Sequence, residues 1–442
     1  MRLQLSEHFT YGKLLRFTFP SIIMMIFTSI YSVVDGIFVS NFAGKTPFAA
    51  INLIMPLLIV TGAPGFMVGT GGSAIVAKTM GQGKPELAKR YFSFLVCAAA
   101  VGGAAVGWLG AVFARPIASA LGAKGEILEY CVVYARIILA ANPFFILQNV
   151  FQSFFVTAEK PKLGLYITVG AGLTNIVLDA LLVGVLHWGV AGAAIATILS
   201  QAVGGLTPIV YFLRENDSLL RLIRPRFDGG VLWRTCTNGS SELMSNISGS
   251  IVAMLYNFQL LRLAGEDGVA AYGAIMYVNF IFLAIFIGYA IGSAPVVSYH
   301  YGAGHSEELH SLLVKSAVLT EGVGMAMMVL AFLASGPLAK IFVGYDRDLY
   351  ELTVQGFHLY AVSYLLCGCN IFGSSFFTAL NNGLASALIS FLRTMVFQCA
   401  AVLILPVFLE VDGIWLAVAV AETLTLLVTL ALLARYRKIY RY

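Results

Sequence analysis

Along this chain, apolar residues come in long blocks separated by short polar punctuation. Twelve blocks can be drawn, at about residues 14–42, 47–79, 90–114, 127–157, 162–186, 189–213, 235–264, 268–299, 311–335, 348–380, 384–408 and 412–434. Each is long enough for the roughly 20 residues that cross a bilayer as a helix. The pattern therefore predicts an all-α polytopic membrane protein with twelve transmembrane helices. Several blocks are longer than a span needs, which predicts tilt or kinks, the latter at Pro56 or Pro143. The first block begins beyond Lys13, is too long for a signal-peptide core and has no small-residue cleavage site after it, so it reads as a mature helix.

The two halves resemble each other at a constant offset of 221 residues. "AGKTPFAAINLIM" (43–55) faces "AGEDGVAAYGAIM" (264–276) with six identities in thirteen positions. "FQSFFVTA" (151–158) faces "FGSSFFTA" (372–379) with five in eight. Gly81 and Gly83 face Gly302 and Gly304, and Asn149 faces Asn370. One gapless offset across the half indicates duplication. Each repeat holds six helices, an even number, so both enter the membrane in the same sense. Parallel six-helix repeats are a plan of secondary transporters, with the cargo site between the halves. The expected division is an N-terminal lobe (1–213), a linker (214–234) with five arginines, and a C-terminal lobe (235–442).

Composition agrees with the pattern: 59% of residues are hydrophobic and 11% charged, against about 25% charged in soluble domains. The 27 Lys and Arg are uneven, with 19 on the termini and the loops after even-numbered helices. Positive charge stays in the cytoplasm, so both termini are expected there. The net charge of +5 thus reports topology and anionic-lipid contact and needs no nucleic acid. The six cysteines lie in apolar segments without a CxxC pair, and the histidines show no metal spacing. No nucleophile–base constellation or phosphate loop suggests an enzyme, and no organic cofactor is expected.

Five acids lie well inside the blocks, away from their ends: Asp35, Asp179, Glu242, Glu321 and Glu422. Intramembrane acids are costly and by default mark an ion or proton path, with a structural hydrogen bond as the bland alternative. Asp35 lies roughly 14 Å from the outer end of helix 1, Asp179 roughly 14 Å from that of helix 5, and Thr197 roughly 12 Å into helix 6. Asn175 shares the face of Asp179, and Tyr31 that of Asp35, by their i,i+4 spacing. Two carboxylates, an amide oxygen and a hydroxyl are hard ligands suited to Na⁺. Two carboxylates in a dry site could equally share a proton. The repeat mates of Asp35, Asn175, Asp179 and Thr197 are Tyr256, Val396, Ala400 and Val418, so ion coupling is expected in the first lobe alone. Glu242 begins helix 7, where it could attract a cationic substrate or bond to Asn246. Glu321 and Glu422 have no visible partner and read as structural, and Arg136 can snorkel.

The chain resembles the multidrug and toxic compound extrusion (MATE) transporters, of the branch containing exporters of Gram-positive bacteria. The resemblance rests on "FPSIIMMIFTSIYSVVDGIFVSNFAGKTPFAAINLIMP", "GTGGSAIVAKTMGQGKPELAKR", "WGVAGAAIATILSQ" and "PVVSYHYGAG", in that order. It implies a V-shaped pair of lobes in a bacterial inner membrane, acting as a monomer. The implied activity is antiport of organic cations and drugs against Na⁺ or H⁺. It implies Asp35, Asn175, Asp179 and Thr197 as the coupling site, and Tyr31 in the cavity. Asn149, Gln152, Glu242 and Asn246 are further candidates for the cavity lining. The alternative cargo is a lipid-linked saccharide. A flippase of that kind should carry several cavity arginines, and only Arg136 and Arg393 lie inside the spans, away from the block ends.

Overall fold

The computed structural model describes residues 3–344 and 346–442, apart from the side chains of 32 and 45. Described segments are helical almost throughout, and twelve spans follow in order. Helix 1 is Tyr11–Ala43, helix 2 Lys45–Gly81 and helix 3 Pro85–Ala120. Helix 4 is the bent pair Gly125–Ala140 and Asn142–Thr157. Helix 5 is Pro161–Val185 and helix 6 Gly189–Leu213. The continuous helix Ser240–Ala303 is two spans, 240–264 (helix 7) and 266–303 (helix 8), folded over at Gly265. Helix 9 is Ser306–Val343, and helix 10 is the bent pair Arg347–Ala361 and Ser363–Ala379. The stretch Gly383–Tyr440 turns at Glu410 into helix 11 (383–409) and helix 12 (411–440). Residues 214–228 are non-helical, and the short helix Gly229–Asn238 precedes helix 7.

The duplication is visible in the backbone. Positive φ recurs at Gly44 and Gly265, at Gly83 and Gly304, and at Gly189 and Glu410, each pair 221 apart. The bends repeat as well. Helix 4 turns by 57° at Ala141 and helix 10 by 44° at Val362, again 221 apart. The first bend lies just before Pro143, whose ring cannot continue a helix with full hydrogen bonding. Pro56 lies in helix 2 without a break.

Buried apolar residues explain how the halves sit. One group draws on both lobes, Phe92, Phe154 and Phe212 meeting Tyr289, Phe376 and Phe377. It lies toward the face that carries both termini and most basic residues, the basic face. A second group, with Val39, Ile54 and Tyr134, belongs to the first lobe. A third, with Tyr256, Phe357 and Trp415, belongs to the second. The lobes thus share a core at the basic face and divide toward the opposite face. The seam is closed backbone to backbone. A Cβ on Gly81 would strike the carbonyl of Tyr299, and one on Gly302 that of Lys78, a pair of contacts related by the same 221 offset. An N-terminal strap crosses this seam. Leu5 N donates to Glu159 of the first lobe at 2.6 Å. In the second lobe, Glu308 accepts from Phe9 N at 2.9 Å and meets His8 at 2.5 Å, while Lys315 donates to the Phe9 carbonyl at 2.6 Å.

Candidate functional site

The candidate site lies in the half of the first lobe away from the basic face. Helix 1 approaches helix 5 across Gly172, where a Cβ would meet Tyr31 at 3.0 Å and press closer still on Phe27. This approach brings the carboxyls of Asp35 and Asp179 close enough to interact directly. Asp179 is fully buried and ends the α-helical part of helix 5, and a π-helical turn, Ala180–Val185, follows. Such turns interrupt regular backbone bonding and recur at functional sites. Asn175, one turn earlier on the same face, is 2% exposed.

The site is short of donors. Asp35 Oδ1, both carboxyl oxygens of Asp179 and Asn175 Oδ1 are buried without a hydrogen-bond partner. All four are acceptors, and a carboxylate cannot satisfy another unless one carries a proton. Thr197 donates its hydroxyl proton to Ala193 O at 2.9 Å within its own helix, so only its lone pairs are left to face the site. Tyr134 on helix 4 was not anticipated. It is buried, its hydroxyl faces Thr197, and it lies near both Asp35 and Asp179. Its depth was countable: nine residues from Gly125 is roughly 14 Å, the level of the other members. Among the described residues no trio of His, Cys, Asp or Glu could hold a metal ion. The acceptors instead suit a small hard cation or a shared proton.

The cavity candidates separate. The Tyr31 hydroxyl faces Gln148, beside Asp35. Asn149 and Gln152 are each 5% exposed, and Asn149 is packed against Gly65 and Gly69 of helix 2. Glu242 is half-buried. Asn246 does bond to residue 242, but to its backbone carbonyl at 2.8 Å rather than to the carboxylate.

The reading of Glu321 and Glu422 as partnerless is corrected. Glu321 accepts from the Cys369 thiol at 3.3 Å. Glu422 pairs with Arg393 at 2.6 Å and accepts from Asn370 Nδ2 at 2.7 Å. Thr429 donates to Asn370 Oδ1 at 3.1 Å, and Arg393 also reaches Cys367 Sγ at 3.1 Å. Arg393 sits in a second π-helical turn, Leu392–Gln398 of helix 11. It and Glu422 are 29 residues apart on separate helices, so no helical spacing could reveal the pair.

With this geometry in hand, the chain was compared with known proteins. The family model MatE matches residues 20–181 and 243–403, one segment in each lobe. Multidrug export protein MepA of Staphylococcus saprophyticus subsp. saprophyticus is 24% identical over 432 residues, covering 97% of this chain and 93% of that protein. MepA of Staphylococcus haemolyticus is 24% identical over 420 residues, covering 94% and 92%. Among solved structures, a MATE crystallised in complex with MaL6 superposes with a TM-score of 0.93 at 22% identity, covering 98% of each chain. An outward-facing multidrug resistance MATE transporter superposes at 0.88 with 22% identity, covering 98% of this chain and 97% of that one. These structural likenesses bear on the fold.

Proposed function

The chain belongs to the MatE family, and on that premise we propose that it is a cation-coupled efflux antiporter. It exports organic cations, drugs among them, in exchange for Na⁺ or H⁺. The basic face is cytoplasmic, both termini lie there, and the protein works as a monomer in a bacterial inner membrane. The observation that carries the reading is the set of buried acceptor oxygens on Asp35, Asn175 and Asp179 that no donor satisfies. Burying such groups unpaired is costly. A bound cation or proton removes that cost, and the lobes divide toward the opposite face, from which an external ion would enter.

In this mechanism Asp35 on helix 1 and Asp179 on helix 5 receive the ion, Asn175 and Thr197 add neutral oxygens, and Tyr134 orients Thr197. Ion binding draws helix 1 against helix 5 and shifts the balance of two conformations by its differential affinity for them. The names of the MepA relatives support drug export as the activity. A saccharide-lipid flippase is disfavoured by one feature: Arg393, half-buried in the second lobe, is already neutralised by Glu422.

The test is drug efflux from proteoliposomes with a Na⁺ gradient and a proton gradient imposed separately. One gradient should drive efflux in the wild type, and Asp35→Asn should abolish that response while remaining folded. Equal efflux by Asp35→Asn under the same gradient would overturn the proposal.

A further inference from the structure

The antiport reading leaves unused a cavity of about 580 Å³ on the basic face, at the seam of the lobes. Lys78 and Lys84 enter it from the first lobe. Arg234 enters it from the short connecting helix Gly229–Asn238, and Asn382 and Tyr440 enter it from the second lobe. No acidic side chain is among its lining residues. Lys78 lies over the Tyr301 ring at 4.7 Å and close enough to Arg234 for their charges to interact. Arg234 Nε reaches only the carbonyl of Gly230, at 3.3 Å, within its own helix. Asn382 accepts from the backbone N–H of Ala385 through its oxygen, and its Nδ2 group faces the Tyr440 hydroxyl at the cavity wall. Three basic side chains elsewhere on this face have acidic partners: Lys13 with Glu7, Lys89 with Glu86 and Lys160 with Asp217. The cavity instead gathers like charges, with no acid among its lining residues to neutralise them.

We propose that this cavity binds a phosphate-bearing anion, and that the anion fastens the two lobes at the basic face. Ammonium and guanidinium groups converging with amide donors suit phosphate oxygens. Basic pockets between transmembrane helices on the cytoplasmic side are known to take anionic lipid head groups. A lipid head group and a free phosphate compound present the same chemistry here. The anion acts because Lys78 and Lys84 belong to the first lobe and Asn382 to the second. Bound between them it also relieves the repulsion of Lys78 and Arg234, and it favours the state with this face closed. Its binding stands independently of the transported cargo, and only its effect on the transport cycle rests on the antiport reading.

The test uses the full-length protein in nanodiscs. One arm compares phosphatidylcholine alone with discs about one third phosphatidylglycerol. The other titrates inorganic pyrophosphate into phosphatidylcholine discs. The melting temperature should rise by about 5 °C in at least one arm, as expected of a ligand that binds only the folded state. A rise in the first arm alone assigns a lipid head group, and a rise in the second alone a soluble phosphate. The rise should vanish in Lys78→Gln/Arg234→Gln and persist in Lys160→Gln, which alters a cation on the same face outside the cavity. Should the double variant fail to fold, Lys84→Gln changes an exposed residue and should reduce the rise by about half. No rise in either arm, or an unreduced rise in whichever of these cavity variants folds, overturns the proposal. Asp35→Asn keeps the rise even if it abolishes efflux, so the two proposals fail separately.

Discussion

The two lobes descend from one repeat, and each buries charge in its interior, but they settle that charge in opposite ways. In the second, Glu422 lies against Arg393 and Asn370, and Asn370 is held in turn by Thr429. The two charges of that pair neutralise each other across neighbouring helices. In the first, the mates of Arg393 and Glu422 are Gly172 and Gln201, while Asp35 and Asp179 face each other with no basic partner. A charge with its counter-ion built in is structural. A pair of acids without one has to take a cation or proton from elsewhere. The glycine at 172 also lets helix 1 approach helix 5, in the position where its mate extends a guanidinium. The same backbone thus gives a fixed strut in one lobe and an adjustable joint in the other.

The sharpest way to break this comparison is to remove one charge from each lobe. Arg393→Ala leaves Glu422 buried without its cation and should cost about 3–5 kcal/mol, read as loss of monodisperse protein after heating in detergent. Arg393→Met combined with Glu422→Gln should recover most of that loss, because removing both charges is often close to neutral. Asp179→Asn should do the reverse. It removes a like charge and introduces an amide donor beside Asp35, so the melting temperature should hold or rise while gradient-driven efflux disappears. If Asp179→Asn unfolds the protein as Arg393→Ala does, the first cluster is structural and the contrast fails.

Smaller changes sharpen the contrast. Gly172→Ala forces helix 1 away from helix 5 and should cost about 1–3 kcal/mol by overpacking, with ion dependence of efflux weakened in parallel. Tyr134→Phe removes one hydroxyl and should weaken apparent ion affinity about fivefold, corresponding to roughly 1 kcal/mol for one hydrogen bond, with stability unchanged. The smallest effect is expected outside both clusters. Glu410 holds φ 51° where its mate Gly189 holds φ 56°. Glu410→Gly should therefore stabilise slightly, by up to about 1 kcal/mol, measured as a rise in melting temperature.

Much of this was legible in the residues. Long apolar runs must become helices in a bilayer, because backbone groups there have no other partners, and the breaks at Gly44 and Gly265 fall where the 221 offset puts them. Asp35, Asn175, Asp179 and Thr197 stood out because depth and helical spacing are properties of one helix at a time. The Arg393–Glu422 pair was illegible because it depends on which helices become neighbours. Asn246 misled for a related reason: i,i+4 spacing brings two residues together without saying whether the side chain or the backbone of the first is met. Tyr134 was missed for want of an acidic charge to draw attention to it.

The N-terminal strap has a consequence for how the chain is made. Phe9 leaves the ribosome well before its partners Glu308 and Lys315, which lie 299 and 306 residues further on. At about 5–20 residues per second, roughly 15–60 s separate their synthesis. During that interval Leu5 and Phe9, both fully buried in the finished molecule, are without the second lobe that completes their surroundings. The strap is thus made long before it can be seated, and the seam it crosses can be sealed only after helix 9 has been inserted.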